Sequence, residues 1–203
     1  MLDVMESVRN TLKMESEAIA EVLGSFDIAQ VQAVCNAILE CKNNKHKVVT
    51  AGCGTSAAAA RKIAHTLSCV EIPAVFLEPS DAVHGGLGMV QEGDVVVLLS
   101  KGGKTEEITM LVEPCKTKGA MVVAVTEAPK SVLATGCDLL LKVAVSKEPD
   151  PFNMLATSSI IAVIAMFDAI SIVLMQLSGF SRDKFAVIHP HGAVGERLLS
   201  GEK

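Results

Sequence analysis

Two glycine-rich turns carry the groups in this chain that are best suited to bind an anion. The first turn reads Gly52-Cys-Gly-Thr-Ser56, and the second reads Ser100-Lys-Gly-Gly-Lys-Thr105; each follows a short apolar run. Glycines let the backbone bend sharply, so that amide N–H groups and hydroxyls point to a ligand at the start of the next helix. Two such strand-to-helix turns in one chain predict a phosphorylated ligand.

The expected ligand contacts are glycine amides, hydroxyls and two lysines. They are Gly52, Gly54, Thr55, Ser56, Ser100, Lys101, Gly103, Lys104 and Thr105. Ser56, Ser100 and Thr105 are also ordinary helix-capping residues, and capping uses the same backbone donors as phosphate binding. Thr157 and Ser158 either start the last long helix or join the same site, and the sequence leaves both interpretations open.

Buried strands that alternate with helices must position these turns. Apolar residues at helical spacing predict two leading helices within residues 3–42, and residues 57–67 and 106–118 are predicted helices after the two turns. The strand-like runs lie between residues 47 and 143: Val48 to Ala51, Ala74 to Leu77, Val95 to Leu99, Met121 to Val125 and Leu139 to Val143. Strands separated by helices of about ten to fifteen residues form parallel βαβ units, which bind ligands at the carboxyl ends of the strands.

Length and composition favour one soluble domain. The chain has 203 residues, of which 50% are hydrophobic and only 3% aromatic, so the predicted core is aliphatic and rich in methionine. The formal net charge of −5 argues against nucleic acid or an anionic membrane surface as a partner, because both require clustered Lys and Arg. The Pro-rich turn at residues 148–152 is the only obvious break in the pattern.

The cysteines predict a reducing compartment. Six cysteines form neither a CxxC pair nor a His/Cys metal spacing, so we expect packed thiols, no metal site and a cytoplasmic protein. The amino-terminal residues are acidic, which argues against a signal peptide.

One segment, residues 160–177, is apolar enough to suggest a membrane span. It contains Asp168 near its centre, and a charge at the middle of a bilayer costs roughly 3 kcal/mol or more. A long buried helix over residues 157–177, lying between the sheet and a partner subunit, explains the pattern more simply. We therefore predict a homodimer or larger assembly and no membrane partner.

Six motifs occur in a characteristic order along the chain. They are Gly-x-Gly-x-Ser at 52–56, Pro79-Ser-Asp-Ala-Val-His84-Gly-Gly-Leu-Gly-Met89, Gly93-Asp94, Ser100-x-Gly-Gly, Ala156-Thr-Ser-Ser159 and His189-Pro-x-Gly-Ala-x-Gly195. This order resembles the SIS (sugar isomerase) domain family, and within it the arabinose-5-phosphate isomerase branch. The resemblance covers roughly residues 30 to 199, and the two histidine-containing motifs are its most specific part.

The resemblance implies an α/β three-layer sandwich, with a parallel sheet of about five strands flanked by helices. It also implies one SIS domain over residues 1–203 with a parallel core at 47–143 and a C-terminal segment at 189–199. Its ligand would be a phosphorylated sugar, and a homodimer or homotetramer would complete the active sites across subunits. The paired CBS domains that many such isomerases carry are not expected here.

The same resemblance assigns catalytic roles to Glu107, His84 and His189. Aldose–ketose isomerisation needs a base that moves a proton between neighbouring carbons and acids that open the ring and move the hydroxyl proton. Glu107 is also a common residue type in the first turn of a helix, where the dipole favours an acid. Thr55, however, stands where the isomerases of this branch have a functional lysine, and Lys101 or Lys104 is expected to supply the missing charge.

The sequence therefore favours a sugar-phosphate aldose–ketose isomerase that acts through an enediol without metal or organic cofactor. The alternative is a phosphosugar-binding or sensing SIS protein that lacks turnover. Thr55 favours this alternative, whereas the retained Glu107, His84 and His189 favour the enzyme. A sugar-sensing transcription factor is disfavoured, because no helix-turn-helix pattern or basic face precedes residue 47.

Overall fold

A computed structural model of the chain describes residues 3–191 and has an all-parallel, five-stranded sheet at its centre. The strand order is β2-β1-β3-β4-β5. The strands are β1 (Val48–Gly52), β2 (Ala74–Phe76), β3 (Val95–Leu99), β4 (Met121–Thr126) and β5 (Leu139–Lys142). The predicted α/β class and parallel sheet are confirmed, and each predicted strand agrees to within one residue at either end.

Helices flank both faces of this sheet. They are α1 (Val4–Ser25), α2 (Ile28–Asn43), α3 (Thr55–Ser68), α4 (Pro79–Ala82), α5 (Glu106–Thr109), α6 (Val112–Thr117), α7 (Val132–Gly136), α8 (Ser158–Leu177) and α9 (Arg182–Ile188). A short 3-10 helix spans Gly86–Met89. The two leading helices begin where capping chemistry dictates, because the carboxylates of Asp3 and Asp27 accept hydrogen bonds from amides of the first turns.

Alternation along the strands gives the sheet two apolar faces. Val95, Val97 and Leu99 pack with residues from α2, α3 and α8 on one side, whereas Val96 and Leu98 pack with residues from α5 to α7 on the other. Successive side chains of a strand point to opposite faces, so a continuous apolar run buries both. The three layers leave the carboxyl ends of the strands as the edge where the polar turns lie.

The connecting helices are shorter than predicted. Residues 106–118 form α5 and α6 instead of one helix, because Pro114 has no amide and its ring conflicts with the carbonyl four residues earlier, at Met110. The connection between β2 and β3 holds only α4 and a 3-10 turn, and that between β4 and β5 holds only α7. The expected length of ten to fifteen residues is met by α3 alone among these connections.

The last long helix, α8, packs one side into the core and presents its other side outward. Phe167, Ile170 and Leu174 are buried, whereas Ile172 and Leu177 are exposed. Among the described residues, α8 is the helix long and apolar enough to cross a bilayer, but its inner side packs against α1, α2 and α3. Of the predicted C-terminal segment, residues 192–199 lie outside the described part of the chain.

Candidate functional site

The first glycine-rich turn joins β1 to α3 and leaves its hydroxyls available. A side chain at Gly52 would meet the backbone of Ser56 at 2.7 Å, and Gly54 has a φ of 55°, so both positions need glycine. Helix α3 has no side-chain cap, and within residues 3–191 the hydroxyls of Thr55 and Ser56 have no hydrogen-bond partner. This turn therefore presents an uncapped helix N-terminus and two free hydroxyls.

The second turn, after β3, is used more fully by the protein itself. The Ser100 hydroxyl is buried and lies 2.8 Å from the Thr105 hydroxyl. Gly103 has a φ of 62°, and a β-carbon there would lie 2.0 Å from the Ser131 hydroxyl. Packing thus requires glycine at 103 whether or not its backbone also contacts a ligand.

Lys101 is committed to an internal ion pair. Its ammonium group lies 2.7 Å from a carboxylate oxygen of Glu148, whose side chain is completely buried. The structure therefore does not support Lys101 as the charge that replaces the lysine missing at Thr55. Lys104 is exposed and forms no ion pair within the described residues, so it remains available.

Glu148 organises the start of α8. It accepts hydrogen bonds from the amides of Thr157 (3.1 Å) and Ser159 (3.3 Å) and from the Ser159 hydroxyl. Burial by itself would raise the pKa of Glu148, but the hydrogen bonds from Lys101, Ser159 and Thr157 outweigh it and lower this pKa to about 2. Glu148 is therefore an ionised group that already occupies the positive end of α8.

This arrangement bears on Thr157 and Ser158, the two predicted contacts at the start of α8. The Thr157 amide is used by Glu148, and the fully buried Ser158 hydroxyl has no hydrogen-bond partner among the described residues. Sequence reasoning missed Glu148, because its Pro-rich surroundings indicate only a turn. The partners of its carboxylate lie between 9 and 47 residues away, so no local pattern reveals them.

The two turns converge at the carboxyl edge of the sheet. Ser56, Ser100, Lys101 and Ser159 line one cavity there, with a volume of about 30 Å³. This space is about right for one water molecule and too small for a sugar phosphate. A ligand of that size would therefore lie outside the cavity, over the turns.

Glu107 and His84 lie at the same edge, on the side of β1 and β2. Helix α5, which carries Glu107, contacts α4, and His84 follows α4 directly. Burial, and then the carboxylates of Glu107 and Glu78, raise the pKa of the Cys53 thiol in the first turn. Glu107 and His84 are exposed, and their side chains form no hydrogen bond within residues 3–191.

His189 lies elsewhere. Its ring stacks on Phe185 with centroids 4.2 Å apart, and its Nδ1 lies 3.2 Å from the Phe185 carbonyl. The preceding residue, Ile188, lines a cavity with Ile72 and Pro73, which lead into the amino end of β2. One chain therefore does not bring His189 together with Glu107 and His84, since a five-residue strand of about 17 Å separates the two edges of the sheet.

The Gly93-Asp94 motif has a structural role. Asp94 is buried, accepts hydrogen bonds from the amides of Lys47 and Gln91, and forms an ion pair of 2.6 Å with Lys47. These contacts fasten the amino ends of β1 and β3, at the edge opposite the glycine-rich turns. The motif is thus outside the candidate site.

All six cysteines are free, and three of them (Cys35, Cys41 and Cys115) are buried. Within residues 3–191 no group of three or more His, Cys, Asp or Glu side chains is placed to hold a metal ion.

Comparison with known proteins gives a consistent family match. The SIS domain model matches residues 43–173. Arabinose 5-phosphate isomerase KpsF from Escherichia coli O6:H1 (strain CFT073) is 36% identical over 97% of this chain and 59% of its own length. Arabinose 5-phosphate isomerase KdsD from Pseudomonas aeruginosa is 36% identical over 98% of this chain and 60% of its own length. The chain thus spans about 60% of the length of these curated relatives.

Two solved structures match over nearly their full lengths. A candidate sugar-phosphate isomerase from Listeria monocytogenes is 45% identical, with a TM-score of 0.90 over 94% of this chain and 100% of that one. An E. coli CFT073 protein in complex with arabinose 5-phosphate is 32% identical, with a TM-score of 0.88 over 93% and 98% of the two chains.

Proposed function

This chain belongs to the SIS domain family, and from that premise we propose that it is a sugar-phosphate aldose–ketose isomerase. One observation carries the proposal. Glu107 and His84 stand at the same edge as two hydroxyl-bearing glycine-rich turns, and neither side chain forms a hydrogen bond or ion pair in the described part of the chain. The turns bind the phosphate, while the acid and the imidazole face the sugar.

The reaction needs only proton transfers. Glu107, when ionised, removes the proton from the carbon next to the carbonyl, and the carbonyl oxygen takes up a proton to give an enediol. The proton held by Glu107 exchanges with solvent, and Glu107 then delivers a proton to the former carbonyl carbon, while the neighbouring hydroxyl loses its proton and becomes the new carbonyl. His84 exchanges protons with the oxygens. No net oxidant or reductant is consumed, because one carbon is oxidised as its neighbour is reduced.

Arabinose 5-phosphate is the first candidate substrate. The curated relatives are named as arabinose 5-phosphate isomerases, and one structural neighbour is a complex with arabinose 5-phosphate. We propose that the protein acts in the cytoplasm, because its acidic composition and unpaired cysteines suit that compartment.

We also propose that the protein acts as a homo-oligomer in which His189 serves the site of a neighbouring copy. Within its own chain His189 lies at the edge opposite Glu107. An apolar groove of about 360 Å³ between α1, α2 and α8 provides surface for a second copy. Its lining includes Ile19, Leu23, Ile28, Ala169 and Val173.

A binding protein without turnover is the second candidate. The observation that favours it is the exposed Thr55 hydroxyl in place of a lysine, combined with the commitment of Lys101 to Glu148. Lys104 is then the one lysine of the two turns without an ion pair in the described chain.

A panel of pentose and hexose phosphates distinguishes the two candidates. Each sugar phosphate is tested for turnover and, in parallel, for a thermal shift. Turnover of any member supports the isomerase, whereas thermal shifts without turnover support the binding protein. No shift and no turnover across the panel would overturn both.

A further inference from the structure

Glu78 is an acid at the carboxyl edge that the proposed chemistry does not use. In the register of the sheet Phe76 of β2 pairs with Thr50 of β1, and the Leu77 amide donates to the Thr50 carbonyl at 2.9 Å. Glu78, two residues beyond Phe76, therefore lies level with Gly52, where the first glycine-rich turn begins.

The carboxylate of Glu78 is held in one orientation by Arg61. An Arg61 guanidinium nitrogen lies 2.6 Å from one Glu78 oxygen, and the guanidinium carbon lies 3.7 Å from the centre of the Phe76 ring. A cation over an aromatic face is attracted by the ring, so Phe76 fixes Arg61 and Arg61 fixes Glu78. The pair also offsets the charge of Glu78, which would otherwise repel a phosphorylated ligand.

The fold itself makes little use of this carboxylate. Glu78 directly precedes α4 but forms no capping hydrogen bond to it, and its side chain remains 39% exposed. Its second oxygen has no hydrogen-bond donor within residues 3–191. Glu148, by contrast, is buried and accepts hydrogen bonds from an ammonium group, two amides and two hydroxyls.

The surroundings of Glu78 place it on the sugar side of the candidate site. Helix α4 contacts α5, which carries Glu107, and His84 follows α4. In agreement with this placement, burial and then the carboxylates of Glu107 and Glu78 raise the pKa of the Cys53 thiol in the first turn. Glu78 therefore borders the same space as Glu107, the first turn and His84.

We propose that Glu78, oriented by Arg61, contacts the substrate by accepting hydrogen bonds from sugar hydroxyls and so helps to select the sugar. This inference rests on the proposed function, since it needs a sugar phosphate at this edge. An ionised carboxylate only accepts hydrogen bonds, and hydroxyls are the donors that a sugar offers. Bonds of this charge-assisted kind are roughly twice as strong as neutral ones.

The competing interpretation is an exposed ion pair that merely fastens α3 to β2, and such pairs contribute little to stability. Glu71 is a matched control. It pairs with Lys184 at 3.6 Å and has a similar exposure of 36%, but it lies near the amino end of β2. Glu78→Gln and Glu71→Gln therefore make the same chemical change at the carboxyl edge and at the amino edge of the sheet, respectively.

The experiment measures dissociation constants of arabinose 5-phosphate and inorganic phosphate by calorimetry for the parent and both variants. We expect Glu78→Gln to weaken arabinose 5-phosphate binding by about fivefold to tenfold, because a neutral acceptor replaces a charged one. Inorganic phosphate should bind all three proteins within about twofold, and Glu71→Gln should match the parent for both ligands.

A set of deoxy analogues of the sugar phosphate, each lacking one hydroxyl, identifies the contact. For one of these analogues, the one that lacks the hydroxyl bound by Glu78, the parent should bind more weakly than it binds the intact sugar phosphate. Glu78→Gln should show a markedly smaller loss of affinity for the same analogue. Unchanged arabinose 5-phosphate binding in Glu78→Gln, or an equal loss for both ligands, would overturn the assignment of Glu78 and leave the proposed function intact. A parent that binds inorganic phosphate but no sugar phosphate would overturn the proposed function and this inference with it.

Discussion

The carboxyl edge of the sheet has two halves that differ in how far the protein uses its own polar groups. In the closed half, formed by the second turn, Glu148 and the start of α8, Lys101 and Ser100 already have internal partners. In the open half, formed by the first turn, Glu78, His84 and Glu107, the hydroxyls and acids have few partners among the described residues.

This difference indicates which residues are structural and which are available for chemistry. A buried polar group is costly unless it is hydrogen-bonded, so the closed half satisfies its groups internally and holds β3 and α8 in place. An oriented but unpartnered group at a strand end can exchange solvent for ligand at little cost. The open half should therefore carry the reaction, and the closed half should carry stability.

The largest expected effect is on turnover. Glu107→Gln keeps the shape of the side chain but removes its basicity, so kcat should fall by roughly a hundredfold or more while ligand affinity changes little. Glu106→Gln, in the same exposed helical turn, is the control and should retain kcat within about twofold. Equal losses in both variants would show that the turn matters only as structure.

A substitution in the closed half should change the stability of the fold. The folded-state pKa of Glu148 is about 2, below its ordinary value of 4.5. Its carboxylate therefore stabilises the fold fully above about pH 5, and this stabilisation disappears as the pH falls towards 2. Glu148→Gln should lower the free energy of unfolding at pH 7 by about 2–3 kcal/mol, and near pH 3 by roughly 1 kcal/mol, because at pH 3 the folded carboxylate is still mostly ionised.

Urea unfolding at both pH values measures this change. Asp168→Asn is the control, because its ion pair with Lys62 is well exposed and should contribute less than about 1 kcal/mol. A loss for Glu148→Gln that is the same at pH 7 and pH 3 would contradict an ionised, stabilising carboxylate.

Removing one hydroxyl from each half should have different effects on ligand affinity and thermal stability. Ser56→Ala removes a free hydroxyl, so it should weaken sugar-phosphate binding by about tenfold and leave the melting temperature unchanged. Ser100→Ala also breaks the bond to Thr105, so it should lower both affinity and melting temperature. Calorimetry and thermal melts check this, and tight binding by both variants would place the phosphate elsewhere.

A further expected effect concerns the sharing of active sites between copies of the chain. His189→Ala and Glu107→Gln should each be nearly inactive alone. If His189 serves a neighbouring copy in a dimer, random mixing gives half heterodimers with one intact site of two, and activity should recover to about a quarter of the parent's. Mixed subunits that stay inactive would confine His189 to its own chain.

The sequence predicted the parallel sheet and the convergence of the two turns, because apolar runs and glycines act locally. It did not predict the break between α5 and α6, where Pro114 overrides an otherwise helical pattern. Nor did it predict the roles of Glu148 and Glu78, since the partners that define them, Lys101 and Arg61, are distant in sequence. For His189 the sequence motif implies a catalytic role, but it does not show whether the residue acts in the site of its own chain or in that of a neighbouring copy.

Hydrogen exchange at carbon tests the central claim most directly. The parent and Glu107→Gln are incubated in heavy water with the same sugar phosphate at matched occupancy, and the recovered sugars are analysed for deuterium. An isomerase that uses Glu107 in the open half should incorporate deuterium next to the carbonyl in the parent and roughly a hundredfold more slowly in the variant. Equal incorporation in both proteins would exclude Glu107 as the base, and neither incorporation nor conversion in either, with ligand bound, would contradict the isomerase and leave a phosphosugar-binding protein.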